Sequence, residues 1–357
     1  MKILYIAPIN SVGGHALVSK TLLQYLKSKY DLFTIDLSVS SNHDGSINFN
    51  RIIEVIRIFF KIFIFKNNID SIYITISQSL FGNLKDILIF IILSKRLNRT
   101  TLHLHGGSIG VNLFERYKLI KLINFFFYKK VKNIIISGNS HLNIFPKNIH
   151  YKCKVIPNFA SDYIFLNKKK IKDKFKNIKE IRILFLGNMF QKKGYLKLLD
   201  AFLIMNHHLK SSVYIDFAGK FYQEDLKIDF LQKIENYKNI NYFGEVTDSD
   251  KINLFHRAHI FCLPSDFLEG QPIAIIEAYA SGCFVLTTNK PGISDIFEDK
   301  INGFFIRKNQ PKFIAEKLEQ ILDNFELCEL IAKNNRSFSE DKFKEINYLY
   351  SIEKVLK

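Results

Sequence analysis

Short apolar runs alternate with longer stretches of helical spacing along nearly the whole chain. KILYIA (2–7), a run near 31–37, SIYITI (71–76), TLHLH (101–105) and NIIIS (133–137) read as strands. Helices are predicted over about 14–29, 51–66, 83–97 and 113–129. In the second of these, Arg51, Glu54, Arg57 and Lys61 make a narrow polar stripe at three- and four-residue spacing. A second series begins after residue 180. RILFLG (182–187), VYIDFAG (213–219), INYFG (240–244), HIFCLP (259–264), CFVLTT (283–288) and GFFI (303–306) read as strands. Helices are expected over about 194–208, 249–257, 272–281, 311–323 and 341–357. Strands that alternate with helices imply a mostly parallel sheet covered on both faces, so two such series imply two doubly wound α/β units.

Length agrees with that division, because 357 residues exceed the size at which one core stops growing. Between the series, NKKKIKDKFKNIKE (167–180) is lysine-rich and lacks strand character. Residues 166–180 therefore read as a linker between a first unit at 1–165 and a second at 181–340. The last helix, 341–357, is expected to pack back on the first unit. The longest apolar run, 87–93, is too short to span a bilayer. MKILYIAPIN reads as a buried first strand and not a leader, since Pro8 and Asn10 break it and no small-residue cleavage site follows. Cys153, Cys262, Cys283 and Cys328 form no C-x-x-C pair or zinc spacing and read as free thiols of a reducing compartment.

Charge separates the two units. Residues 1–180 hold 28 Lys and Arg against 10 Asp and Glu, whereas 181–357 hold 23 against 24. The whole excess of +17 thus lies in the first half, which points to an anionic partner there or to a solvated basic surface. The stretch 113–132 concentrates it: Arg116, Lys118, Lys121, Lys129, Lys130 and Lys132 interleave with Phe125, Phe126 and Phe127. A basic, aromatic helix of this kind suits an anionic membrane surface. A sheet-covering helix with solvated lysines is the alternative. No nucleic-acid module accompanies the charge, so nucleic acid is not expected as a partner.

Candidate chemistry gathers in the loops after strands, where doubly wound sheets bind ligands. In LPSDFLEGQPIAIIEAYASG (263–282) a strand ends at Pro264, and Glu269, Gly270 and Gln271 follow in a loop. Pro272 is expected at the first helical position and Gly282 at the helix stop. Such a helix start offers free N–H groups and a positive dipole end to phosphate oxygens. Glu277 lies one turn beyond Ile273 in an otherwise apolar stretch. A carboxylate there needs a partner, such as a ribose diol. FLGNMFQKKG (185–194) runs from a strand through Gly187 and Asn188 to Lys192 and Lys193, either of which can neutralise a diphosphate. SVGG (11–14) places Gly13 and Gly14 in a short glycine turn, a weak signal alone. His103 and His105 share one face of a strand, but no third metal ligand is apparent. His105, at the strand's carboxyl end, is the better placed for a ligand. Asp248-Ser249-Asp250 looks like a metal-binding D-x-D, yet it opens a helix and reads as capping. No metal and no resident cofactor are expected.

These motifs, in this order, resemble the group 1 family of retaining glycosyltransferases with the GT-B fold. The most specific element is E-x7-E, Glu269 to Glu277 in EGQPIAIIEAYASG. TTNKPGISDIFEDKINGFFI (287–306), VIPN (155–158) and the Lys193-Gly194 pair also look like the family. The resemblance implies two Rossmann-like parallel-sheet domains facing an interdomain cleft, the first on the acceptor side and the second binding a nucleotide-sugar. It implies that Gly13 and Gly14 lie near the donor's phosphates and sugar, and that His105 contacts the transferred sugar. Lys193 would neutralise the diphosphate and Glu269 would bind sugar hydroxyls. The backbone at Gln271 and Ile273 would touch sugar and phosphate, and Glu277 would hold the ribose. The implied reaction is metal-independent transfer of a hexosyl-type sugar from a nucleotide-diphosphate donor, a UDP-sugar, with retention. The acceptor would be a glycan or a polyprenyl-diphosphate-linked chain of polysaccharide, capsule or lipopolysaccharide synthesis. The protein would be cytoplasmic and peripheral on the inner face of the membrane, with Arg116, Lys118, Lys121, Lys129 and Lys130 toward membrane or acceptor. One departure is Asn188, where the family often has Arg. It leaves open a weak or inactive GT-B-like partner subunit. An epimerase on the same fold is the other alternative, and E-x7-E argues against it.

Overall fold

The computed structural model describes residues 1–10, 13–38, 49–65, 68–176 and 178–357, with the side chains of 49–55 and of Asp248 outside the description. Ser11 and Val12 of the glycine turn therefore lie outside the described residues, as do the side chains of Arg51 and Glu54. The chain divides into two compact units. The first comprises Met1–Asn158, Leu268–Gln271 and Ile346–Lys357. The second comprises Phe159–Phe267 and Pro272–Glu345.

The first unit runs β1 (Lys2–Ala7), α1 (Gly14–Lys27), β2 (Asp31–Asp36), α2 (Phe49–Phe65), β3 (Ser71–Thr75), α3 (Leu80–Ile92), β4 (Thr100–Leu104), α4 (Lys118–Tyr128), β5 (Asn133–Ile136) and β6 (Cys153–Val155). Its sheet has the order β2-β1-β3-β4-β5-β6, with every pairing parallel. The order reverses once, beside β1. The central strands are buried on both faces, which is why they read as unbroken apolar runs. Tyr5 and Tyr73 pair across β1 and β3, and their rings stack 4.8 Å apart.

The second unit runs α5 (Lys168–Lys174), β7 (Ile181–Leu186), α6 (Tyr195–Ile204), α7 (His207–Lys210), β8 (Val213–Ala218), α8 (Glu224–Ile234), β9 (Ile240–Tyr242), α9 (Asp248–Arg257), β10 (Ile260–Leu263), α10 (Ile273–Ala280), β11 (Phe284–Thr288), α11 (Pro291–Ser294), β12 (Gly303–Ile306), α12 (Pro311–Asp323) and α13 (Phe325–Lys342). Its sheet, also parallel throughout, has the order β12-β11-β10-β7-β8-β9. The final helix, α14 (Glu345–Leu356), contributes its residues from Ile346 on to the first unit. There Glu353 accepts hydrogen bonds from Tyr25, Tyr30 and Lys29.

Four expectations change. The lysine-rich stretch is not a bare linker: α5 lies within it, and Ile171 and Phe175 join the second unit's core. Lys174, although charged, is held by the Ser281 and Gly282 carbonyls at 3.0 Å each. The basic helix is shorter than 113–132. It starts at Lys118 and ends at Tyr128, so Arg116 precedes it and Lys129, Lys130 and Lys132 follow it. Lys132 has already turned into the sheet, donating its N–H to the Thr100 carbonyl. Residues 268–271, expected with the second unit, belong to the first. The helices α8 and α13 and the strand β6 were not foreseen. The first two are polar on most faces, and the last is only three residues long.

Candidate active site

In the second unit, β7 leads through Gly187 and Asn188 to a single turn of tight helix, Gln191–Lys193. Gly194 ends that turn with φ +85°, a left-handed conformation that favours glycine. A side chain there is doubly excluded, because a Cβ would lie 2.0 Å from the Pro264 carbonyl oxygen. The lysine turn is thus pressed against the end of β10. The Lys192 carbonyl accepts the Asp266 N–H at 2.7 Å and the Phe267 N–H at 3.2 Å. Lys193 Nζ sits 5.4 Å from the centre of the Phe267 ring, and Asp266 pairs with Lys197 and Lys290. Asn188 occupies the turn, its carbonyl accepting the Phe190 N–H.

The helix α10 starts at Ile273, one residue later than the sequence suggested. Pro272 is its cap, with ψ 112°, and not its first residue. Gly282 follows its last turn at φ +63°. Glu277 faces inward with only 2 % exposed, and burial pushes its carboxyl above the usual carboxylate range. Spacing alone pointed to no protein partner for Glu277. The structure supplies one, the ammonium of Lys251 on α9, which opposes the effect of burial. Sequence reasoning missed Lys251 because its signal, a lysine four residues into a polar helix, is shared by many surface lysines. Asp248 and Asp250 fall in the first turn of α9, with Thr247 at the cap position. Among the described residues, no three His, Cys, Asp or Glu side chains converge as a metal site.

In the first unit, Gly13 caps α1 and Gly14 opens it, which brings His15 to the carboxyl edge of the sheet. The sequence pointed to two histidines; the structure stacks three. The His15 and His105 rings lie 4.1 Å apart, and those of His105 and His103 lie 3.8 Å apart. His103 Nδ1 meets the Tyr73 hydroxyl at 2.7 Å. Burial, reinforced by the neighbouring imidazoles and by Lys85, lowers all three below the ordinary histidine value. His15 falls to about 4 and His103 to about 3. The stack is therefore neutral at pH 7, and the Nε2 atoms of all three rings have no hydrogen-bond partner among the described residues. A buried polar nitrogen without a partner is costly, so a ligand hydroxyl there would be favoured.

The segment Leu268–Gln271 lies against the turn after β4. Gly270 makes the closest approach, since a Cβ would stand 2.0 Å from the His105 carbonyl oxygen. Gln271 fixes the segment. Its Oε1 accepts the Asn158 N–H at 2.5 Å, its Nε2 donates to the Ser137 carbonyl at 3.1 Å, and its own carbonyl accepts Asn158 Nδ2 at 2.9 Å. This accounts for VIPN as a structural anchor. Glu269 is buried beside Gly107. Within this unit the structure gathers Glu269, Gly270, His105 and, through the stack, His15. Arg116, Lys118, Lys121, Lys129 and Lys130 are exposed in and around α4.

Two parallel six-stranded sheets, each covered by helices and each bearing polar residues at its carboxyl edge, define the GT-B class of fold. A solved structure agrees with that class of fold. A crystal structure of Anabaena Alr3699/HepE in complex with UDP-glucose superposes with TM-score 0.76 over 100 % of this chain and 99 % of that one, at 15 % identity. Residues 167–338 match the family profile described as Glycosyl transferases group 1. An Escherichia coli UDP-Gal:alpha-D-GlcNAc-diphosphoundecaprenol alpha-1,3-galactosyltransferase is 25 % identical over 244 residues, covering 65 % of this chain and 62 % of that protein. The Staphylococcus aureus capsular polysaccharide biosynthesis glycosyltransferase CapH is 27 % identical over 239 residues, covering 65 % and 61 %. The chain spans about half to two thirds of the length of the first curated relatives it matches. Among the described residues, no helix is long and apolar enough to cross a membrane.

Proposed function

We propose that this chain transfers a hexosyl-type sugar from a UDP-sugar to a glycan on a polyprenyl-diphosphate carrier, with retention and without a metal, in cell-surface polysaccharide or glycolipid synthesis. One observation carries the reading. Inside the segment that matches the glycosyltransferase profile, Glu277 is buried one turn into α10 and kept within reach of ionisation by Lys251. An ionised carboxylate in that position accepts two hydrogen bonds from a ribose diol. The start of α10 and Lys193 offer positive potential to the diphosphate. Catalysis then consists of stabilising charge on the leaving diphosphate. Lys193 does this by charge, Ile273 and its neighbours by backbone N–H. Glu269 and the neutral His105 take hydroxyls of the transferred sugar. The acceptor's proton passes to the departing diphosphate, so no protein nucleophile is required. The UDP-glucose in HepE and the diphosphoundecaprenol acceptor of the E. coli relative support the choice of donor and carrier.

Asn188, in place of the family's usual Arg, favours a second reading as a weak or inactive partner subunit, since Lys192 gives a point charge where Arg gives a fork. Incubation of the purified chain with radiolabelled UDP-sugars and a polyprenyl-diphosphate-linked saccharide separates the two. Transfer of label with retained anomeric configuration, abolished in Lys193→Ala, supports the enzyme. UDP binding without transfer from any donor supports the partner subunit.

A further inference from the structure

The helices α2, α3 and α4 follow successive strands on one side of the reversal at β1. Right-handed crossovers place them on one face of the first sheet. There α2 packs beside α3, and α3 beside α4. The middle helix departs from an ordinary surface helix: it buries Ile87, Ile89 and Phe90, yet it turns polar residues inward as well. Its polar residues Asn83 and Asp86 are fully buried. Asn83 exchanges amide hydrogen bonds with Asn124 of α4 at 3.1 and 2.8 Å, and Asp86 accepts the Ser77 N–H at 2.7 Å. Its outward stripe is apolar instead: Phe81, Leu84, Leu88 and Ile91 are 42–65 % exposed at spacings of three and four. The neighbour α4 repeats the pattern with Leu119, Leu122 and Phe126, each more than half exposed, and α2 adds Ile56 and Phe60. Three adjacent helices thus show solvent an apolar row each, a larger patch than a surface facing only water carries.

Charge decides what covers it. Residues 80–132 hold ten Lys and Arg against two Asp and Glu, and Asp86 is one of the two. Lys118, Lys121, Lys129 and Lys130 border the α4 row, with Lys130 Nζ only 3.8 Å from the centre of the Phe126 ring. A second copy on this face would bring like charges together. An anionic bilayer presents hydrocarbon beneath and negative head groups around it, matching both components.

We propose that the outward face of α3, with the flanking rows of α4 and α2, is a membrane-insertion surface that seats the first unit in the head-group layer of an anionic bilayer. The proposal rests on the reading of a lipid-linked acceptor and deepens it. Binding arises from buried apolar side chains, and the lysines add only the salt-sensitive part.

The test is sedimentation of the full chain with vesicles of phosphatidylglycerol and phosphatidylcholine at low and high salt. The variant combines Leu84→Gln, Leu88→Gln and Ile91→Gln, all on the solvent side of α3, with melting temperature checked to be that of the wild type. The wild type should stay partly bound at high salt. The variant should bind at least about tenfold more weakly, because each exposed leucine contributes on the order of a tenfold factor when it leaves water. Equal binding by variant and wild type would overturn the proposal. So would complete release of the wild type by salt. So would a wild-type dimer in solution that the variant disperses, since the face would then be covered by a second copy. UDP binding, measured on the same preparations, separates this from the transferase reading. A chain that binds vesicles as described but ignores UDP contradicts the transferase and leaves the surface standing.

Discussion

Replacing Lys251 with Met leaves Glu277 buried on the inner side of α10 without its counter-charge. Removing one partner of a buried ion pair costs about 3–5 kcal/mol. The lower end applies here, because Lys251 keeps 15 % of its side chain exposed and Glu277 can shed its charge by taking a proton. For a unit of this size, about 3 kcal/mol lowers the melting temperature by roughly 6–12 °C. The loss has a definite pH sign. Burial already raises the Glu277 carboxyl while Lys251 restrains it. A carboxyl raised in the folded state holds a proton that the unfolded chain has released. Its contribution to stability therefore falls as pH climbs from the unfolded value towards the folded one. Removing Lys251 extends that window upwards, so Lys251→Met should be hurt more at pH 7.5 than at pH 5.5. Adding Glu277→Gln removes the stranded charge and should restore most of the loss at pH 7.5. Thermal unfolding followed by circular dichroism at both pH values reads all three outcomes. A melting temperature unchanged at pH 7.5, a loss equal at both pH values, or no recovery in the double variant would refute the reasoning.

Two further perturbations act on the first unit. Gly270→Ala places a Cβ 2.0 Å from the His105 carbonyl oxygen and should lower the urea midpoint by an amount worth about 1–3 kcal/mol, against no change if segment 268–271 does not hold that approach. The depressed His15 and His103 must charge when the chain unfolds in acid, so stability present above pH 6.5 is lost as pH falls through 6.5 towards 4. His15→Asn should flatten the decline of the urea midpoint between pH 6.5 and pH 5, and an unaltered decline would contradict the buried, neutral stack.

The fold was legible in the sequence where burial is complete. SIYIT and FVLTT are covered on both faces, and nothing but a parallel strand accommodates such runs between helices. Legibility failed where long-range packing overrides local pattern. The Lys168–Lys174 helix looks like a solvated linker until Ile171 and Lys174 find the core and the α10 carboxyl end. Nothing in the local pattern announces that Asn83 and Asp86 are drawn inside, by partners 41 residues away and across a turn, while leucines stay outside. At the candidate site, glycines and glutamates announced themselves through spacing. Lys251 and His15 did not, because what makes each of them notable is a neighbour brought by the fold: Glu277 from the next helix, and His105 from another strand's end.

The account stands most directly on calorimetric titration of UDP into the wild-type chain and into Glu277→Ala and Lys193→Ala. The wild type should bind UDP, and each variant should bind it at least about tenfold more weakly, the worth of one charge-assisted hydrogen bond. No heat from the wild type, or three identical isotherms, would contradict it.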